Sequence, residues 1–145
     1  MGSFGWSWFP EKLEELGVEE NKALDIREYI YNMPEVMAAA DVIISRAGAS
    51  SLNEIAASGT PCILIPSPNV TDNHQEKNAR AIAQRGGAVL LTEKECTAQR
   101  LLEEVQGILA DETRYSDMCA AMRGACVLDS AERICDIMEQ LTGKK

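Results

Sequence analysis

Val42-Ile43-Ile44-Ser45-Arg46-Ala47-Gly48-Ala49-Ser50-Ser51-Leu52-Asn53-Glu54-Ile55-Ala56-Ala57-Ser58-Gly59-Thr60-Pro61-Cys62-Ile63-Leu64-Ile65 decides the fold of this chain. Two short apolar runs enclose a glycine turn and a segment with apolar residues at helical spacing, Leu52, Ile55 and Ala56. Strand, turn, helix, strand is the unit of a parallel sheet, because parallel neighbours need a crossover between them. The helix is expected to begin near Ser50 or Ser51, either of which can cap it. Gly59-Thr60-Pro61 then stops it. The first N–H groups of such a helix have no internal partner and face the Arg46–Ala49 turn. At the carboxyl edge of an open α/β sheet that is a place for a phosphate.

Working outward, the same alternation continues on both sides. Leu24, Ile26 and residues 28–30 read as a first strand. Asn32 can cap a helix with Pro34 in its first turn and a stripe of Met33, Val36, Met37 and Ala40. After Cys62–Ile65, Pro66-Ser67-Pro68-Asn69 reads as loop. A helix from Asp72 or Asn73 to about Arg85 turns Ala79, Ile82 and Ala83 inward, Gly86-Gly87 ends it, and Ala88–Leu91 reads as a fourth strand. The rest reads as helical. Thr97 caps a helix with Leu101, Leu102, Val105, Ile108 and Leu109 at helical spacing, and residues 113–123 form another. Asp129-x-x-Glu132 opens the last, with Ile134, Ile137, Met138 and Leu141 inward. The expected class is therefore α/β, a parallel sheet flanked by helices, in a single domain over 1–145. Residues 1–23 form an aromatic N-terminal segment (Phe4, Trp6, Trp8, Phe9) with a short helix Glu11–Leu16 ended by Gly17. Residues 24–141 form the Rossmann-like region.

Composition narrows the function. A net charge of −9 argues against a broad basic surface for nucleic acid, yet leaves room for a nucleotide diphosphate, which needs only a few local donors. Five cysteines without a Cys-x-x-Cys pair suit reduced thiols in a cytoplasmic protein rather than a disulfide framework or a zinc site. No apolar run approaches the roughly 20 residues of a membrane span, and the start lacks the pattern of a signal peptide.

Several ordered motifs resemble one family. They are Tyr29-Ile30-Tyr31-Asn32-Met33, Ala39-Ala40-Asp41-Val42-Ile43-Ile44-Ser45-Arg46-Ala47-Gly48-Ala49, Glu54-Ile55-Ala56-Ala57-Ser58-Gly59-Thr60-Pro61, and Ile65-Pro66 followed by His74-Gln75-Glu76-Lys77-Asn78-Ala79. Together they resemble the C-terminal domain of the MurG family. The resemblance implies the donor-binding half of a GT-B transferase, a partial Rossmann-like domain. Such enzymes move N-acetylglucosamine from UDP-N-acetylglucosamine to a lipid-linked muramyl pentapeptide on the cytoplasmic face of the bacterial membrane. It implies an inverting, metal-independent reaction with no cofactor. The family's N-terminal acceptor domain and its Gly-Gly-Ser phosphate loop have no counterpart before Glu54. By the resemblance the general base belongs to that other domain, so no catalytic residue is expected here. A missing strand would leave an open sheet edge, through which a homodimer could form.

The candidate ligand residues each have a second reading. The resemblance puts the Glu54 carboxylate on the ribose hydroxyls. Ser51-x-x-Glu54 is also a capping box, in which that carboxylate only closes its own helix. Gly48, Ala49, Ser50 and Ser51 are implied beside diphosphate and ribose, though any tight strand-to-helix turn wants a glycine. Arg46 could neutralise phosphate, or pair with Asp41 or another acid. His74 and Gln75 fall where the family places side-chain amides on the sugar. Gln75 can both donate and accept, while His74 departs from the usual glutamine and can be a simple helix-start residue. Asn78 could orient the loop or the sugar, and Ile30 matches the position whose backbone meets uracil, or is a core strand end. Two alternatives to the transferase remain: a sugar-nucleotide-binding subunit completed by a partner chain, and a UDP-N-acetylglucosamine 2-epimerase-like domain.

Overall fold

The computed structural model describes residues 9–15, 17, 23–126 and 129–143. Two compact units divide the chain, 1–33 and 34–145. The first holds α1 (Phe9–Glu15), slightly earlier than the expected Glu11–Leu16. The Gly17 N–H closes on the Glu14 carbonyl at 3.0 Å, with Gly17 in a left-handed conformation (φ +63). The expected first strand does not form among the described residues. Leu24 and Ile26 are exposed, and Arg27 pairs with Asp25 beside it. A strand exists only through its ladder, and this segment has no strand pairing. Phe4, Trp6 and Trp8 lie outside the described residues, as does the Phe9 side chain.

The second unit is a three-stranded parallel sheet in the order β1-β2-β3, with β1 Ile43–Ser45, β2 Cys62–Leu64 and β3 Ala88–Leu90. Ile43, Cys62 and Ala88 stand in register, as do Ile44, Ile63 and Val89, and Ser45, Leu64 and Leu90. Side chains alternate between the two faces, and each face builds its own core. On one, Cys62, Leu64 and Ala88 pack with Leu52, Ile55 and Ala56 of α3 (Ala49–Ser58), Ala79 of α4 (His74–Gln84) and Met122 of α6 (Glu112–Ala125). On the other, Ile63 packs with Leu91, with Ile108 of α5 (Ala98–Leu109) and with Met118 of α6. All three residues of β2 are buried, as a central parallel strand covered on both sides requires. Among the described residues β1 and β3 are edges.

The helix ends follow side-chain chemistry in α5 and α6. Thr97 accepts from the Arg100 N–H at 3.1 Å and Asp111 from the Arg114 N–H at 2.9 Å, each satisfying an orphan donor. Met37 of α2 (Met33–Ala39) packs against the first core. The Thr60 hydroxyl, buried, donates to the Met37 carbonyl at 3.0 Å.

Burial differs from expectation in two helices. Val36 in α2 is exposed rather than inward. The clearest departure is α7 (Ser130–Thr142), whose stripe of Ile134, Ile137, Met138 and Leu141 is 55–81% exposed. Its Asp129 makes no cap bond and pairs instead with Arg133. Periodicity identified the stripe but not a surface to receive it. Of the five cysteines only Cys62 is buried, Cys135 being exposed and the others half-buried.

Candidate functional site

The carboxyl ends of the strands lead into three loops, and the sequence-predicted residues of the second unit gather there. The β1–α3 turn is built differently from expectation. The helix begins at Ala49, with Gly48 as its cap and no side-chain cap bond. Ser50 and Ser51 are therefore already helical, and the first backbone bond runs from the Leu52 N–H to the Gly48 carbonyl at 2.9 Å. The N–H groups of Gly48, Ala49, Ser50 and Ser51 have no acceptor among the described residues. A partial positive charge thus sits over a surface of small side chains.

Glu54 stands one turn further on, exposed. The capping box is not formed, and the carboxylate makes no hydrogen bond or ion pair among the described residues. A carboxylate with unused lone pairs one turn beyond these donors can accept from ligand hydroxyls while the donors hold an anion.

Three other candidates are engaged with loops. Arg46 Nη1 donates to the Ile65 carbonyl at 3.1 Å and lies 2.6 Å from Glu93 Oε1. Its acid partner is Glu93, not Asp41. Alternation along β1 puts Arg46 with Ile44 on the face opposite α3. There it lines a cavity of about 540 Å³ with Ile65, Glu93 and Cys96. A guanidinium on that side is directed away from the α3 N–H groups.

Gln75 Oε1 accepts from the Ser67 N–H at 3.0 Å, fixing the β2–α4 loop and leaving its amide NH₂ free to donate. Asn78 Nδ2 donates to the Ala47 carbonyl at 3.2 Å, fixing the β1–α3 turn. One face of α4 thereby holds two of the three loops.

His74 begins α4 after Asp72 and Asn73, both left-handed at φ +54 and +50. Its Nδ1 lies 2.9 Å from the Thr71 carbonyl. A carbonyl only accepts, so Nδ1 carries the proton and Nε2 remains for a partner. In the same turn Asn73 and then Arg80 bond the Glu76 carboxylate and hold it below the usual carboxylate range. Ile30 lies in the first unit, half-buried in irregular chain.

Glu93 was missed by sequence reading. The signal was available: it follows β3 by three residues, on the side where Leu91 faces Arg46's neighbour Ile65. Cavity volume alone does not select this edge. A second cavity of about 490 Å³ lies at the opposite end of β3, lined by Gly86, Ala88, Asp111 and Arg114 among others. What sets the carboxyl edge apart is the run of four N–H groups from Gly48 to Ser51 with no side-chain cap, whereas at the other cavity Asp111 caps α6.

The glycosyltransferase family 28 C-terminal domain model matches residues 4–141. The chain belongs to this family. Family 28 relatives agree along most of its length. The chain is 43% identical over 119 residues to UDP-N-acetylglucosamine--N-acetylmuramyl-(pentapeptide) pyrophosphoryl-undecaprenol N-acetylglucosamine transferase 1 of Bacillus cereus, covering 82% of this chain and 33% of that protein. It is 42% identical over 134 residues to the transferase of the same name from Bacillus cytotoxicus, covering 92% and 36%. The chain thus spans about a third of the length of these family 28 relatives. The crystal structure of Acinetobacter baumannii MurG shares its fold, with a TM-score of 0.75 at 24% identity over 90% of this chain and 38% of that one. The glycotransferase of kitacinnamycin aligns with a TM-score of 0.64 at 22% identity, over 87% of this chain and 32% of that one. Among the described residues no helix is long and apolar enough to cross a membrane.

Proposed function

We propose that this chain is the donor-binding part of a peptidoglycan glycosyltransferase, taking UDP-N-acetylglucosamine at the carboxyl edge of its sheet. One observation carries the reading: in a family 28 domain, Glu54, an acid with no partner among the described residues, stands one turn above four backbone N–H groups that likewise have none there. In this reading Gly48, Ala49, Ser50 and Ser51 hold the diphosphate through the start of α3. Glu54 accepts from the two ribose hydroxyls, each such charged bond contributing about 1.5–3 kcal/mol. Gln75 donates its free amide to the sugar, and His74 offers Nε2 beside it. Arg46 supports the turn from the far face rather than touching phosphate, since its guanidinium is already held by Ile65 and Glu93.

In the full-length protein an acceptor-binding half supplies the general base and receives the lipid-linked muramyl pentapeptide, converting lipid I to lipid II. The transfer is inverting and needs no metal. It takes place on the inner face of the cell membrane, to which the protein attaches peripherally. This chain alone is inactive and binds donor weakly, because one wall of the cleft supplies all the contacts. Titrating UDP with and without chelator tests the site: saturable binding unaffected by EDTA is expected, and no interaction at millimolar UDP removes the reading.

The open edge of β1, with Ile44 half-exposed, favours a second reading in which another chain, including a second copy, completes the sheet. Concentration-dependent sedimentation distinguishes it. A 2-epimerase-like activity is separated by incubating full-length protein with UDP-N-acetylglucosamine and no acceptor: unchanged donor is expected, and an epimer would replace the transferase.

A further inference from the structure

The turn carrying the free N–H groups has one carbonyl directed back into the molecule, that of Ala47. This residue is fully buried. It follows the last residue of β1 and precedes the cap Gly48, so neither ladder nor helix supplies it a donor. Among the described residues the one hydrogen-bond donor to its oxygen is Asn78 Nδ2, from the second turn of α4. A trans peptide is planar, and its C=O and following N–H point in opposite directions. Holding the Ala47 oxygen toward α4 therefore turns the Gly48 N–H away from α4.

We propose that Asn78 is a positioning residue for the anion-facing turn, acting through the Ala47–Gly48 peptide rather than on the ligand. The inference rests on reading that turn as the diphosphate site. Its support is that α4 is itself well anchored. Ala79, beside Asn78, is fully buried in the core. Gln75, one turn earlier on the same face, holds the Ser67 N–H. His74 and Glu76 close the first turn on Thr71, Asn73 and Arg80. A donor fixed to a rigid helix sets a peptide plane that a flexible loop would leave free. Direct contact with the N-acetylglucosamine is the competing role, and the two separate because UDP carries none.

The test uses this chain, isotopically labelled, with Asn78→Ala and Asn78→Asp. Without ligand, the Gly48 amide resonance is expected to move in both variants, and further in Asn78→Asp, whose carboxylate cannot donate to a carbonyl. With ligand, affinity for UDP and for UDP-N-acetylglucosamine should fall by the same factor, about tenfold, while uridine is unaffected. A loss confined to UDP-N-acetylglucosamine, or an unmoved Gly48 resonance, overturns the proposal. An equal loss for uridine does so too, since it signals general damage. If wild-type chain binds neither nucleotide, the donor-site reading fails by itself, and the Gly48 resonance still decides whether Asn78 holds the turn. Where Asn78→Ala does not fold, Asn78→Gln retains the donor on a longer arm, and the same pattern is expected at smaller amplitude.

Discussion

Helices α3 and α7 carry the same kind of apolar stripe, and the structure treats them oppositely. In α3, Leu52, Ile55 and Ala56 are buried against Cys62, Leu64 and Met122. In α7, Ile134, Ile137, Met138 and Leu141 lie open. Both helices end at a left-handed glycine, Gly59 and Gly143. What differs is the neighbour. The sheet strands on either side of α3 bring a surface to its stripe, because a parallel crossover must pack back on the strands it joins. Nothing in the sequence around α7 supplies such a return. Spacing specifies a helix and its sided character, and only topology specifies what lies beneath.

The difference can be broken by removing the same atoms from each stripe. Ile55→Ala should destabilise by about 2–5 kcal/mol in denaturant unfolding, as a fully buried side chain does, whereas Ile137→Ala should cost under about 0.5 kcal/mol. Comparable losses would mean that α7 is covered in solution. The closing glycines sharpen the contrast. Gly59→Ala forces a side chain into φ +71 and brings its Cβ to 2.8 Å from the Arg123 side chain, which must swing aside. A cost of about 1–2 kcal/mol is expected from the backbone. Gly143→Ala meets nothing within 4 Å and, at the end of an unburied helix, should leave the main transition in place.

Caps give a smaller contrast. Thr97→Ala should cost about 1 kcal/mol, while Ser51→Ala should be close to neutral, because Ser51 makes no cap bond. The smallest effect is chemical. Burial pushes the Cys62 thiol up to about 12 from an ordinary 9.0, so at pH 8 an alkylating reagent should modify Cys135 on α7 and spare Cys62. The sign for stability follows. The unfolded chain ionises this thiol near 9 and the folded one near 12, so the contribution of Cys62 is full below 9 and is lost as pH rises through that window. Cys62→Ala should flatten the fall of melting temperature over the same range.

The sheet and its loops were legible because their signals are local: Val42–Ser45 and Cys62–Ile65 are apolar runs bounded by Gly and Pro. The strand expected at 24–30 was not, since Leu24 and Ile26 have the composition of a strand and no strand pairing. In the site, residue types were legible but their partners were not. Arg46, Gln75 and Asn78 were each read with a ligand role, for Arg46 and Asn78 beside a second one, and the loop group each side chain holds could not be named from the sequence. Such bonds join residues 8 to 31 positions apart, beyond the reach of any local pattern. The cap at Gly48 rather than a serine shows the same limit, because backbone conformation at the strand end places the first helical residue.

The account stands most directly on UDP titrated into labelled wild-type chain and Glu54→Gln, followed by amide resonances. It predicts shifts concentrated at Gly48, Ala49, Ser50 and Ser51 in the wild type, with affinity falling at least tenfold in the variant as one or two charged hydrogen bonds weaken. Shifts centred on the amino end of β3, around Gly86 and Arg114, or a Glu54→Gln chain that binds UDP as tightly as the parent, would contradict it.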